Sequence, residues 1–236
     1  MATDDNLLTL TSGELQVTGR LVDASNATLY ATATLADQSL ICIYKPIAGE
    51  RPLWDFADGC LAHREYAAYL VSTHLGFNLV PLTILRDGPY GFGMVQQWID
   101  IDTEIDLSKF FATDHPRLRA MALFDAIINN TDRKIGHLLP IDSEKVFGCD
   151  HGVTFHSDDK LRTVLWQWAS QPFTDDEIAV LKNAQTELDG QLGESLIPLL
   201  TELEIQETKR RVAELLTAGT FPFPNPDWPA VPWPAF

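Results

Sequence analysis

Two charged side chains fall where charge is hardest to keep. In Leu40-Ile41-Cys42-Ile43-Tyr44-Lys45, strand alternation puts Lys45 on the face of Ile41 and Ile43. An ammonium on an apolar face is costly unless it is paired. Taken alone, Lys45 reads equally as a strand-end lysine whose stem lies on apolar surface while its head reaches water. Glu65 sits four residues after Leu61, three before Ala68 and ten before Leu75, so it lies on or beside the apolar stripe of a helix. Taken alone, it is a solvated glutamate paired with a neighbour such as Arg64. Together the two residues solve each other's burial, and such a pair suits the gripping of nucleotide phosphates.

Two acids in later loops supply complementary chemistry. Asn129-Asn130-Thr131-Asp132-Arg133-Lys134-Ile135-Gly136-His137 follows a helix and is rich in turn formers. Asp132, flanked by two cations, is expected to stay ionised and could accept a hydrogen bond from an incoming hydroxyl. The bland alternative is a capped helix end with solvated charges. In Phe147-Gly148-Cys149-Asp150-His151-Gly152, Asp150 ends an apolar strand shortly before a glycine that permits positive φ. That geometry could aim a carboxylate at a metal, although a lone Asp-x-Gly turn means little. The 18 residues from Asp132 to Asp150 suffice for a loop, a short strand and a return.

The elements that must position these groups read as strands first and helices later. Strands are expected over residues 15–21, 29–35, 40–45, 78–86 and 90–99, with a helix over 61–75. Helices are expected over 116–129, 175–188 and 206–216, a loop over 131–140 and a short strand over 145–150. Thr174-Asp175-Asp176-Glu177 is a capping box. Segregated strands and helices imply an α+β chain of two lobes, β-rich over 1–99 and mainly helical over 100–236. The final stretch alternates prolines with Phe221, Phe223, Trp228 and Trp233. It should be extended and should pack on the body or on a neighbouring chain.

Composition narrows the function classes. The 236 residues are 45% hydrophobic and carry a net charge of −16, which disfavours nucleic acid and anionic membrane partners. ATP would meet the same repulsion, so metal ions and a local cation would have to offset it. No apolar run reaches the roughly 20 residues of a membrane span. The acidic, polar N-terminus does not read as a signal peptide. Cys42, Cys60 and Cys149 are scattered, with no C-x-x-C pair, which fits a reducing cytoplasm.

Ile43-Tyr44-Lys45-Pro46, Arg64-Glu65-Tyr66-Ala67-Ala68-Tyr69, Asp132-Arg133-Lys134 and Asp150-His151-Gly152 occur in this order over about residues 15–170. The ordered set resembles the phosphatidylinositol 3-/4-kinase-like branch of the protein-kinase-like superfamily. Its small bacterial members are the nearest match; HipA-type and Fam20-type kinases are more distant. The resemblance implies a two-lobed kinase-like fold and an ATP- and Mg2+-dependent phosphotransferase. By position, Lys45 would contact phosphates and Glu65 would hold it. Ser25 and Asn26 would lie in the phosphate-covering loop, and the backbone of Gln96, Gln97 and Trp98 would meet adenine. Asp132 would be the catalytic aspartate, supported by Arg133, and Asp150 would bind metal. His137 stands where the lipid kinases carry a metal-binding asparagine, so Mn2+ is an alternative to Mg2+. Lys134 replaces the usual histidine after Asp-Arg.

Other readings stay open: a non-catalytic nucleotide-binding scaffold, a kinase-fold enzyme that transfers AMP, and a metal hydrolase using His137, Asp150, His151 and His156. The last fits no compact metal spacing. The acceptor, protein or small molecule, is not identified by the sequence. A phosphoinositide is disfavoured for want of a basic membrane-facing patch. The aromatic tail suggests self-association.

Overall fold

The computed structural model describes residues 4–21, 27–56 and 60–236; Ser25 and Asn26 lie outside the described residues. In chain order the elements are α1 (Asp4–Ser12), β1 (Glu14–Arg20), β2 (Leu29–Leu35), β3 (Gln38–Pro46), α2 (Leu61–His74), β4 (Thr83–Gly88) and β5 (Gly91–Gln97). There follow α3 (Leu107–Phe110), α4 (Pro116–Ile128), β6 (Leu138–Pro140), β7 (Val146–Gly148), α5 (Asp175–Leu188), α6 (Gln191–Leu196) and α7 (Glu202–Ala218). β1 to β5 make one antiparallel sheet in the order β1-β2-β3-β5-β4, and β6 pairs with β7 as a hairpin. A sheet-rich N-terminal region and a helical C-terminal part are the expected α+β class.

The strands obey the alternation read from the sequence, but one face assignment reverses. In β3 the inward residues are Cys42, Tyr44 and Pro46, of which Cys42 and Tyr44 pack with Leu10, Leu15, Ala31, Ala33 and Val95. Ile41, Ile43 and Lys45 share the opposite face, and Ile41 is 41% exposed. Period two fixes which residues go together, not which side is buried; α1 and the small side chains of β2 decide that. Gly93 lets β5 approach the functional end of β3. A β-carbon there would stand 2.3 Å from the Lys45 carbonyl and 2.6 Å from the Pro46 α-carbon.

The helical half is organised around α4, buried at every position from Met121 to Ile128. It packs among Trp168, Phe173 and the inner faces of α5, α6 and α7. Asn129 ends it in the left-handed conformation (φ 50), which asparagine tolerates better than most residues. Its amide donates to the carbonyls of His156 and Asp158 and accepts from the Lys160 N–H, so it also shapes the loop after Asp150.

Several boundaries differ from expectation. The loop over 131–140 contains a 3-10 turn at Ile135–His137 and the strand β6. The strand expected from residue 78 starts at Thr83, because Asn78 takes φ 49 and Pro81 lacks an N–H. The last helix is longer, since Thr201 and Glu204 form a second capping box. Helices α1, α3 and α6 were not expected; α3 and α6 have four and six residues, too few to show a period. Among the described residues, no helix is long and apolar enough to cross a membrane.

Gly93→Ala should lower stability by about 1–3 kcal/mol through forced separation of β3 and β5. Urea unfolding would measure it. A change near zero would mean that the two strands have slack at Lys45.

Candidate functional site

Lys45 is the penultimate residue of β3, its side chain 19% exposed. Its ammonium donates to Glu65 Oε1 at 2.6 Å and to Asp150 Oδ1 at 2.7 Å. Glu65, 1% exposed on α2, accepts the His151 N–H on its other oxygen at 2.9 Å. One glutamate thus ties β3 to the loop after β7. The N-terminus of α2 is capped from a distance: the Glu50 carboxylate accepts the N–H groups of Leu61 and Ala62 at 2.9 and 2.8 Å. Arg64 does not pair with Glu65. It turns to Glu204 on α7 at 2.5 Å and to the Thr154 carbonyl.

The charges shift one another. Burial opposes the charge of Lys45, but Asp150 and Glu65 outweigh it and hold the ammonium above the usual lysine range. Lys45 holds the Asp150 carboxyl well below the usual carboxylate range, against desolvation. Burial raises the Glu65 carboxyl, with Lys45 pulling it back. Asp150 itself has φ 59; the left-handed residue is the aspartate and not the following glycine. Among residues with a β-carbon, aspartate is one of the few that tolerates this region.

Asp132 lies on the same side, near enough to Asp150 for their charges to interact. Its N–H is held by Asn130 Oδ1 at 3.0 Å, and Lys134 Nζ stands 3.3 Å from its carboxylate. Of the two flanking cations, only Lys134 faces the Asp132 carboxylate. Arg133 turns away, and burial pushes the Asp132 carboxyl up despite Lys134. Arg133 is fully buried. It holds Asp125 through Nε (3.0 Å) and Nη2 (2.8 Å), the Cys149 carbonyl (3.2 Å) and His151 Nε2 (2.7 Å). Because Arg133 can only donate, His151 is neutral with Nε2 accepting; burial and Arg133 keep its pKa well down. Asp125 and His151 were missed as members of this frame. A lone acid in the otherwise apolar run Met121 to Ile128 was the available signal.

His137 places Nε2 3.5 Å from Asp150 Oδ2, and its buried Nδ1 has no partner among the described residues. Burial lowers its pKa to about 4, so the imidazole is neutral. Among the described residues no group of three or more His, Cys, Asp or Glu is placed to hold a metal. Two donors nevertheless fit a cation that completes its shell with phosphate oxygens and water, and the Asp150 side chain is 51% exposed on the open side. His156 instead accepts the Asp158 N–H and packs edge-on against Phe56.

Gln96 and Gln97 end β5 and Trp98 follows it, but their donors are largely spent. The Gln96 amide binds Thr83 Oγ1, the Gln97 N–H binds the Leu82 carbonyl, and the Trp98 N–H binds the Ile41 carbonyl. The expectation that this backbone meets adenine is therefore corrected for the N–H groups of Gln97 and Trp98, which complete the sheet.

No protein-family model matches the chain. Protein Rv2133c of Mycobacterium tuberculosis (strain ATCC 25618 / H37Rv) is 44% identical over 268 residues, spanning 99% of this chain and 96% of the relative. Among solved structures, the Golgi casein kinase with Mn/ADP bound aligns with a TM-score of 0.56 and 14% identity over 91% of this chain and 74% of that one. The Helicobacter pylori proinflammatory kinase CtkA aligns at 0.51 and 12% over 90% and 94%. At such identities the likeness establishes a protein-kinase-like fold.

Asp125→Ala strands the buried Arg133 and should cost about 3–5 kcal/mol, whereas Asp132→Asn should change stability by under about 1 kcal/mol. Chemical denaturation of both variants tests this, and equal losses would contradict the arrangement.

Proposed function

The chain belongs to the family of the Mycobacterium tuberculosis protein Rv2133c, and for it we propose an ATP- and divalent-metal-dependent phosphotransferase of the phosphatidylinositol 3-/4-kinase-like type. The observation that carries the reading is Lys45, joined at 2.6 and 2.7 Å to Glu65 and Asp150 from separate parts of the chain. A cation held between two acids at the end of a strand is poised to meet a polyphosphate. ATP lies between the sheet and the helical part, which meet about residues 99–100. Ile41 and Ile43, on the face of Lys45, offer apolar surface to the base, with backbone donors drawn from Ile99 onward.

Lys45 neutralises phosphate charge and Glu65 fixes its direction. Asp150 and His137 would hold Mg2+ or Mn2+, which when bound neutralises charge on the phosphate oxygens. Asp132 orients the acceptor hydroxyl and takes its proton. Its raised pKa brings the carboxylate closer to that task. The hydroxyl oxygen bonds to the γ-phosphorus as the bond to the bridging oxygen breaks and ADP leaves with the electron pair. Arg133 touches neither reactant; through Asp125, Cys149 and His151 it sets the two acidic loops relative to each other.

A second reading, a nucleotide-binding scaffold without transfer, is favoured by one feature: the second metal donor is an imidazole, and Mg2+ prefers oxygen. AMP transfer is a third outcome, separated by labelling ATP at the α- or the γ-phosphate.

Asp150→Asn should abolish the rise in melting temperature given by ADP with Mn2+ or Mg2+. Asp132→Asn should keep that rise but lower turnover by about 100-fold or more. Unchanged behaviour of both variants would refute these roles. A preserved thermal shift in wild type with no label transferred would favour the scaffold.

A further inference from the structure

The backbone beside Asp132 is closed by the chain's own C-terminal segment, and we infer that the acceptor is a compact small molecule and not an extended polypeptide. The inference rests on the phosphotransfer reading. Residues 130–135 and 161–164 pair through Arg162 N–H to the Asn130 carbonyl (2.9 Å), Arg133 N–H to the Arg162 carbonyl (3.1 Å) and Val164 N–H to the Arg133 carbonyl (3.1 Å). Two donors on this strip, the N–H groups of Thr163 and Ile135, give to the carbonyls of Ala230 (3.1 Å) and Ala235 (2.9 Å). The Trp166 indole donates to the same Ala230 carbonyl at 2.8 Å.

The segment follows the loop for most of its length. Phe221 exchanges two backbone hydrogen bonds with Ser170 and Gln171, Asn225 donates to the Asp159 carbonyl, and the Trp228 ring lies 4.6 Å from the Lys160 ammonium. Phe236 ends over Gly136, next to His137; a β-carbon on Gly136 would stand 3.9 Å from it.

Extended peptides are commonly held by hydrogen bonding to an open backbone edge. Here that edge is occupied, and its occupant offers no substitute. Pro222, Pro224, Pro226, Pro229, Pro232 and Pro234 have no N–H, so the outer side lacks a row of donors. Of the tail aromatics expected to pack, Phe221 is buried and Trp228 half-buried, but Phe223 is 71% and Trp233 93% exposed, and Phe236 is exposed as well. The backbone docks while these rings face outward, offering flat apolar surface to a small molecule. The net charge of −16 disfavours a polyanion. The acceptor class is thus a neutral or cationic hydroxyl compound. Its oxygen takes the γ-phosphoryl group, its proton goes to Asp132 and ADP departs.

The full-length chain, with Mn2+ and ATP labelled at the γ-phosphate, is offered two probes separately: a degenerate Ser/Thr/Tyr peptide library and a low-molecular-mass filtrate of a bacterial extract. Label is expected in a filtrate compound other than inorganic phosphate, with none in peptides. Peptide labelling overturns the inference alone, as does labelling of neither probe while ADP still stabilises the protein. A wild-type chain that ADP does not stabilise overturns the phosphotransfer reading and this inference with it. Amide exchange gives a measurement free of chemistry. The Thr163 and Ile135 amides should exchange slowly in wild type and about tenfold or more faster in Trp228→Ala. Loop-like exchange of both in wild type would show an open edge and remove the basis for the inference.

Discussion

One ammonium shared by two carboxylates holds the centre of this molecule together. Lys45, Glu65 and Asp150 come from β3, α2 and the loop after β7, so their contact fixes the sheet, its helix and the helical part relative to one another. The cluster carries one more negative than positive charge. Removing the ammonium would leave two acids facing each other in a partly desolvated space, where both could not readily stay ionised. The surplus negative charge also makes the cluster receptive to a further cation.

Beneath this cluster lies a second, drier one. Asp125 rises from the buried helix α4 to meet Arg133, and Arg133 reaches the loop of Asp150 through the Cys149 carbonyl and His151. An ion pair so completely removed from water contributes little net stability compared with apolar packing, but it is costly to break. Its value is geometric: the loops bearing Asp132 and Asp150 share one rigid guanidinium as a common reference. Asn129 extends the same frame to residues 156–160.

Local rules exposed much of this in the sequence. Alternation grouped Lys45 with Ile41 and Ile43, helical spacing put Glu65 on an inner stripe, and the capping box at Thr174 marked the start of α5. What alternation could not supply was the side of the sheet that is buried, because Cys42 and Tyr44 are as apolar as their neighbours and the choice belongs to α1 and β2. The direction of Arg133 was equally invisible. Its partner Asp125 lies eight residues upstream in a helix whose other residues suggested only core. The positive φ falls at Asp150 and not at Gly152; left-handed backbone is open to aspartate as well as to glycine, so residue type alone does not say which takes it. Proline spacing forecast an extended tail, yet the exposed rings of Trp233 and Phe236 follow from backbone docking, which residue type does not reveal.

The Arg64 contact with Glu204 bears on how the protein can move. Both side chains are nearly inaccessible, and the glutamate also closes the capping box of α7. Swinging α2 outward would unpair two buried ions and expose the start of another helix at the same time. A helix moored this way behaves as a fixed wall and not as a lever.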